Sequence, residues 1–241
     1  MKTAAHLPID RASQVLEVWG DYACFTRPEL KVERFSYPVI TPSAARGIFD
    51  SIYLKPSSFR WSIQGVEVLS PLQFIPLRRN EVKSKLPSAR TIKKWMYGKG
   101  AVSPLVADED RTQRQTIALR NVKYRIHGKI VPWNGKEANT KGMESQFRRR
   151  AARGQCIFQP YLGCREFPAY FRLIENGQEE DAPVALNMEI GCMVYDVFDL
   201  SKRGTSLDKP SVSLFEATIR DGTLLIPDYH SEAVLKGPGA S

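Results

Sequence analysis

Arg46, Asp50 and Tyr53 stand at i, i+4 and i+7. That spacing puts a guanidinium, a carboxylate and a phenol on one helical stripe about two turns long. Lys55 follows two residues after Tyr53. A nearby cation makes a phenol, whose ordinary pKa is about 10, a better proton shuttle or phosphate-orienting donor. The same residues also fit an ordinary i, i+4 ion pair beside a tyrosine on an amphipathic rim, and spacing alone does not choose. His127 is a second candidate, set among Lys123, Arg125 and Lys129. It is either a general base or a solvated side chain. The sequence has no G-x-S-x-G elbow, Walker loop, G-x-G-x-x-G or H-E-x-x-H. With three histidines, four cysteines without a C-x-x-C pair and no Asp/Glu spacing suited to two metals, no metal ligands or cofactor are expected. For an enzyme acting on RNA, the economical chemistry is then metal-free attack by a 2′-hydroxyl. This needs help in deprotonating that hydroxyl, cations for the phosphorane and a proton for the departing 5′-oxygen.

The elements that must position these groups follow from periodicity. Residues 13–25 read as a strand broken at Gly20. Thr41-Pro42 opens a helix, with Thr as N-cap and Pro at the first helical position. Ala45, Ile48, Phe49 and Ile52 form its apolar face, and Lys55-Pro56 ends it. Phe59, Trp61 and Ile63 alternate as a second strand whose phase shifts at Gly65, the mark of a bulge. Residues 76–110 show no sustained period and read as a basic insertion or a partly disordered loop. In residues 116–131, Val122, Tyr124, Ile126 and Ile130 face one way and Lys123, Arg125, His127 and Lys129 the other. That second face is predicted to be a nucleic-acid-facing comb. A helix over 142–153 buries Met143, Phe147 and Ala151 and carries Arg148, Arg149, Arg150 and Arg153 outside. Segments 156–174 and 188–199 read as further strands, separated by an acidic turn around Glu175 to Asp181, and residues 236–241 as a frayed tail.

The chain has 241 residues, a formal net charge of +9 and a pI near 9.4. Residues 76–155 hold 20 Lys+Arg against 6 Asp+Glu, a net of +14, while the remainder nets −5. A basic middle on a mildly acidic body points to a polyanion partner, because clustered cations release counterions from phosphates. No run approaches the ~18 apolar residues of a membrane span, and Met1 to Asp10 lack a signal-peptide core. A cytoplasmic protein without a membrane partner is expected. The order strand, helix, strand, long strand, helix suits a ferredoxin-like split βαβ unit in an α+β protein, with the C-terminal strands as a second, mostly antiparallel sheet.

Several short motifs recur in a known order. They are Gly20-Asp21-Tyr22-Ala23-Cys24-Phe25, residues 41–47 (TPSAARG), and Ser51-Ile52-Tyr53-Leu54-Lys55-Pro56. The basic helix, residues 161–167 (YLGCREF) and Gly191-Cys192-Met193-Val194 complete the set. Together they resemble the CRISPR-associated repeat-processing endoribonuclease subunit of the type I-C (Dvulg) system, in the RAMP superfamily. The resemblance implies a ferredoxin-like (RRM-like) N-terminal domain over 1–135, carrying the basic insertion at 76–110. It implies a region over 136–241 with the basic helix and a β-rich antiparallel extension. It also implies metal-independent cleavage of precursor CRISPR RNA at the base of the repeat hairpin, leaving a 2′,3′-cyclic phosphate. The subunit then stays on the 5′ handle of the mature guide, beside the other subunits of the interference complex.

Of the family's active site, the tyrosine at the end of the first helix matches Tyr53. A Lys-His pair in the loop before the basic helix has only Lys141 as a near counterpart, and the histidine's place falls on Met143 or Glu144. Tyr53 and Lys141 are therefore the first catalytic candidates and His127 the second. Arg46, Lys55, Lys123, Arg125, Lys129, Arg148, Arg149, Arg150 and Arg153 are the expected RNA contacts. The alternatives are a catalytically weak or inactive RNA-binding subunit, or a basic protein that binds double-stranded DNA or RNA.

Overall fold

The computed structural model describes residues 14–30, 32–102, 106–175, 181–203 and 209–237. Most of the acidic turn and of the C-terminal tail expected from sequence lies outside these residues, as does the segment Met1 to Asp10. The architecture is α+β, dominated by one mostly antiparallel ten-stranded sheet. Its centre is β5 (Arg111–Pro132), flanked by β1 (Gln14–Ala23) and β3 (Phe59–Val68). Beyond β1 lies β6 (Tyr170–Ile174), and the two-residue β2 (Arg34–Phe35) runs parallel to β5.

Helix α1 (Pro42–Ile52) begins as its sequence dictates, with the Thr41 hydroxyl accepting from Ala44 N at 3.3 Å and Pro42 in the first turn. Its apolar stripe and that of α3 (Thr140–Ala152) meet the same sheet face. The rings of Phe49 and Phe147 stack at 5.3 Å, and Trp61 of β3 packs against both at 4.9 and 4.6 Å. Phe49 lies directly over Gly128, where a Cβ would come within 2.7 Å of its Cε1. The expected bulge in β3 is present as a register shift between Ile63 and Gly65.

Three expectations change. Residues 76–110 hold β4 (Phe74–Val82) and the short helix α2 (Ala89–Met96). Strand β4 pairs with the first half of β5 and buries none of its residues. Its half-buried face begins with Ile75 and Leu77 against the core but continues with Arg79 and Glu81, while Phe74 and Val82 lie on the exposed face, so no sustained apolar period shows in the sequence. Of residues 156–174, only the last five form a strand. Nor do the C-terminal strands form a sheet of their own. β7 (Met188–Asp196), β8 (Ser213–Arg220) and β10 (Val234–Lys236) join the main sheet through β9 (Thr223–Leu225), which pairs antiparallel with β3 at Gly65–Glu67. A three-residue strand carries too little pattern to be read from sequence.

The face of β5 turned away from the helices carries the four basic side chains in the expected alternation, but they are not a free comb. In the register, Arg125 lies opposite Glu67 of β3 and opposite Glu17 of β1, and Glu17 lies opposite Arg172 of β6. Arg125 Nη1 donates to Glu67 Oε2 at 2.5 Å, and His127 Nε2 lies 2.7 Å from Glu67 Oε1. Lys123 and Arg172 reach Glu17 Oε1 at 3.1 and 2.9 Å. The strand is basic on this face because its neighbours are acidic there.

Burial pushes the Glu67 carboxyl up, but the hydrogen bond from His127 and the charge of Arg125 outweigh it and hold the group below its ordinary range. Its contribution is therefore complete above its unfolded value of 4.5 and lost as pH falls through the lower folded value. Glu67→Gln should cost about 3 kcal/mol in urea unfolding at pH 7, because Arg125 loses its buried counter-charge. The gap should narrow on acidification below pH 4, and a gap independent of pH would refute the assignment.

Candidate active site

The end of α1 is tied down from three sides. Tyr53 is the C-cap, in extended conformation, with its N–H on Phe49 O at 3.0 Å. The carbonyls that a helix end leaves open find partners elsewhere. Ser51 O accepts from Ile157 N at 2.6 Å, Ile52 O from Arg150 Nε at 2.6 Å, and Tyr53 O from Trp61 Nε1 at 3.0 Å. The Tyr53 ring stacks on Phe59 at 5.4 Å and is half-buried. The tyrosine is thus held at a fixed place on the rim, with exposed Lys55 and the Arg150 guanidinium near its backbone. Arg150, expected to touch phosphate, also caps the helix, which its positive charge favours.

The loop between β5 and α3 adjoins the loop after Tyr53. Trp133 Nε1 donates to Pro56 O at 2.8 Å and Trp133 N to Ser58 O at 2.9 Å. Lys141 stands exposed in the first turn of α3. Of the two positions where the sequence could have carried the family's histidine, Met143 is buried in the core and Glu144 is half-exposed on the helix. His127 does not join Tyr53. It lies on the far side of the sheet, bonded to Glu67, because β5 alternates and Gly128 already faces Phe49.

The remaining candidates separate by what they touch. Arg149 on α3 and Arg153 at its C-cap are exposed, and Arg148 leans on Gln14 Oε1 at 3.3 Å and Glu175 at 3.8 Å. Lys129 is half-buried. Arg125 is buried against Glu67, and Lys123 is held by Glu17 and by Asp181 at 2.6 Å. Arg46 is locked between two carboxylates, Asp50 Oδ2 at 2.7 Å and Asp196 at 2.8 and 3.1 Å. The i, i+4 pairing of Arg46 and Asp50 is therefore structural. Asp196 lies 150 residues from Arg46, so local spacing gave no sign of it.

One guanidinium facing buried Asp196 and half-buried Asp50 leaves an excess negative charge. Burial pushes the Asp50 carboxyl up, Asp196 adds to this, and Arg46 only partly offsets it, leaving Asp50 at about 6 instead of 3.8. A raised carboxyl binds its proton on folding. Its favourable contribution is complete below about pH 4 and is lost as pH rises through 6, a swing of roughly 3 kcal/mol. Thermal unfolding of Asp50→Asn should gain on the unsubstituted protein between pH 4 and pH 7. Parallel profiles would show that Asp50 titrates normally.

The sequence matches the family model for CRISPR-associated protein (Cas_Cas5), the Cas5d type, over residues 15–227. It is similar to the CRISPR pre-crRNA endoribonuclease Cas5d of Mannheimia succiniciproducens, 38% identical over 91% of this chain and 96% of that protein. It is also similar to the protein of the same description from Thermus thermophilus, 36% identical over 88% of this chain and 90% of that one. The fold is shared with a crystal structure of a CRISPR-associated protein at a TM-score of 0.61, with 19% identity, over 92% of this chain and 95% of that one. A model spanning most of the chain, and two relatives aligned nearly end to end, leave one conclusion: the chain belongs to the Cas5d family of CRISPR-associated proteins.

Proposed function

We propose that this chain is a precursor CRISPR RNA endoribonuclease that remains bound to its product as a subunit of a type I-C interference complex. Kinship with two pre-crRNA endoribonucleases over nearly their full length carries this reading. The fold supports it in detail. Strands β6, β1, β5 and β3 lie side by side in that order, each antiparallel to the next, with α1 and α3 on one face. We take this as a ferredoxin-like unit. It draws α3 and β6 from beyond residue 135, so that the antiparallel extension begins at β7.

In the proposed reaction the 2′-oxygen attacks phosphorus, the P–O5′ bond breaks, the 2′-hydroxyl proton is lost and the 5′-oxygen gains one. Tyr53, fixed by the helix-end bonds, orients the phosphate or shuttles a proton. Lys141 stabilises the phosphorane, and Lys55, Arg149, Arg150 and Arg153 hold flanking phosphates. His127 has no place in this scheme, since the sheet separates it from Tyr53. No histidine takes part in this scheme: of the two positions where the family's histidine would fall, 143 holds a buried methionine and 144 a half-exposed glutamate.

Incubation of the repeat RNA in excess EDTA should give one cut at the hairpin base, abolished by a single 2′-deoxy substitution at the scissile nucleotide. Persistence of the cut with the 2′-deoxy RNA would reject 2′-hydroxyl attack. Tyr53→Phe and Lys141→Ala should each slow single-turnover cleavage by about 10²-fold while changing the dissociation constant by about twofold or less. Equal losses in cutting and binding would reassign both residues to binding. Tight binding without any cut would favour the RNA-binding subunit, and equal affinity for a matched DNA hairpin would favour a polyanion binder that ignores the 2′-hydroxyl.

A further inference from the structure

The open face of the sheet carries two adjacent rows of side chains. One is the charge row Glu67, Arg125, Glu17 and Arg172, and the next places Lys123, Trp19 and Tyr170 opposite one another on β5, β1 and β6. Trp19 and Tyr170 stack with centroids 6.2 Å apart and planes at 27°, yet remain 36% and 53% exposed. An exposed Trp–Tyr stack beside a row of matched charges is not needed by the core, which lies on the other face with Phe49, Trp61 and Phe147. A cavity of about 420 Å³ opens beside Trp19, lined by Asp21, Asn121, Lys123 and Arg172, within the size range of small-ligand pockets.

We infer that Trp19 and Tyr170 form a nucleobase-stacking subsite, on the sheet face opposite Tyr53, for an unpaired nucleotide of the bound RNA. The inference rests on the RNA-processing reading for the identity of the polymer. Every base offers a π-face, and aromatic platforms hold unpaired bases largely without regard to sequence. Exposed Asp21 at the cavity rim can accept from a base amino group. Lys123 and Arg172 are already matched by Glu17 and Asp181, so stacking, not phosphate neutralisation, carries the affinity here. A protein partner fits less well, because two rings framed by charged rows fall far short of the ~800 Å² that a stable interface covers on each side.

The test uses a repeat hairpin with a 2′-deoxy scissile nucleotide, with and without its single-stranded flanks, and fluorescence anisotropy over a range of salt. Trp19→Ala and Tyr170→Ala should each weaken binding of the flanked RNA about tenfold, and Trp19→Phe should recover most of the loss. The bare hairpin should bind all variants alike. The plots of log Kd against log salt for the substituted and unsubstituted proteins should run parallel, because no phosphate contact is lost. Unchanged affinity of Trp19→Ala for flanked RNA would overturn the inference, as would an equal loss on the bare hairpin or a flattened salt slope. Cleavage of the unmodified RNA by the unsubstituted protein, measured alongside, separates the two readings. A flank-dependent loss without cleavage sustains the subsite and sinks the nuclease, and cleavage without a flank-dependent loss does the reverse.

Discussion

Phe49 sits on bare backbone. The missing side chain at Gly128 lets the ring come down onto β5, and from that contact the stack on Phe147 and the packing of Trp61 follow. This close approach sets the height of both helices over the sheet. It also brings the end of α1 to where Trp61, Arg150 and the chain at Ile157 can satisfy its last carbonyls. Tyr53 is the next residue in the chain. A side chain at a helix end is otherwise poorly fixed, because the terminal turn frays, and here the aromatic layer supplies the rigidity that the proposed role of Tyr53 requires.

The opposite face of the same sheet is organised by charge. Arg125 is buried between Glu67 and Glu17, and the pattern continues outward to Arg172. A desolvated cation such as Arg125 is matched by the neighbouring strands and is poorly placed for a polyanion. Cations open to solvent lie elsewhere, among them Lys141 and Arg149 of α3, Arg153 at its C-cap, and Arg90, Lys93 and Lys94 of α2. The net basicity of the middle third is thus divided between cations that hold the sheet together and cations that face solvent.

Two carboxylates share one arginine where β7 meets α1. Asp196 reaches Arg46 from the C-terminal part of the chain, and its oxygens also accept from the N–H groups of Val197 and Phe198. Together with the β9–β3 pairing, this fastens the C-terminal strands to the helical layer, so they share one core with the strands under α1 and α3.

What periodicity records was legible in the sequence. The cap at Thr41, the bulge in β3, the two faces of β5 and the buried stripe of Met143, Phe147 and Ala151 all follow from residues close together in the chain, and each is where the pattern put it. The family was legible too, because its motifs are local. Pairing across long separations was not. Glu67 lies 58 residues from Arg125 and Asp196 lies 150 from Arg46, so a face that read as a cationic comb became an ion-pair lattice only once its neighbours were in register. The short strand β9 and the mixed polar and apolar faces of β4 left no sustained pattern, because neither buries a continuous apolar row. His127 was separated from Tyr53 by the alternation of a strand whose helix-facing side was settled by Gly128 beneath Phe49. The sequence by itself determined which residues are apolar, capping or charged along each element. The tertiary structure alone decided which charges remain open to a ligand, because a charge is spent or free according to what folding places opposite it.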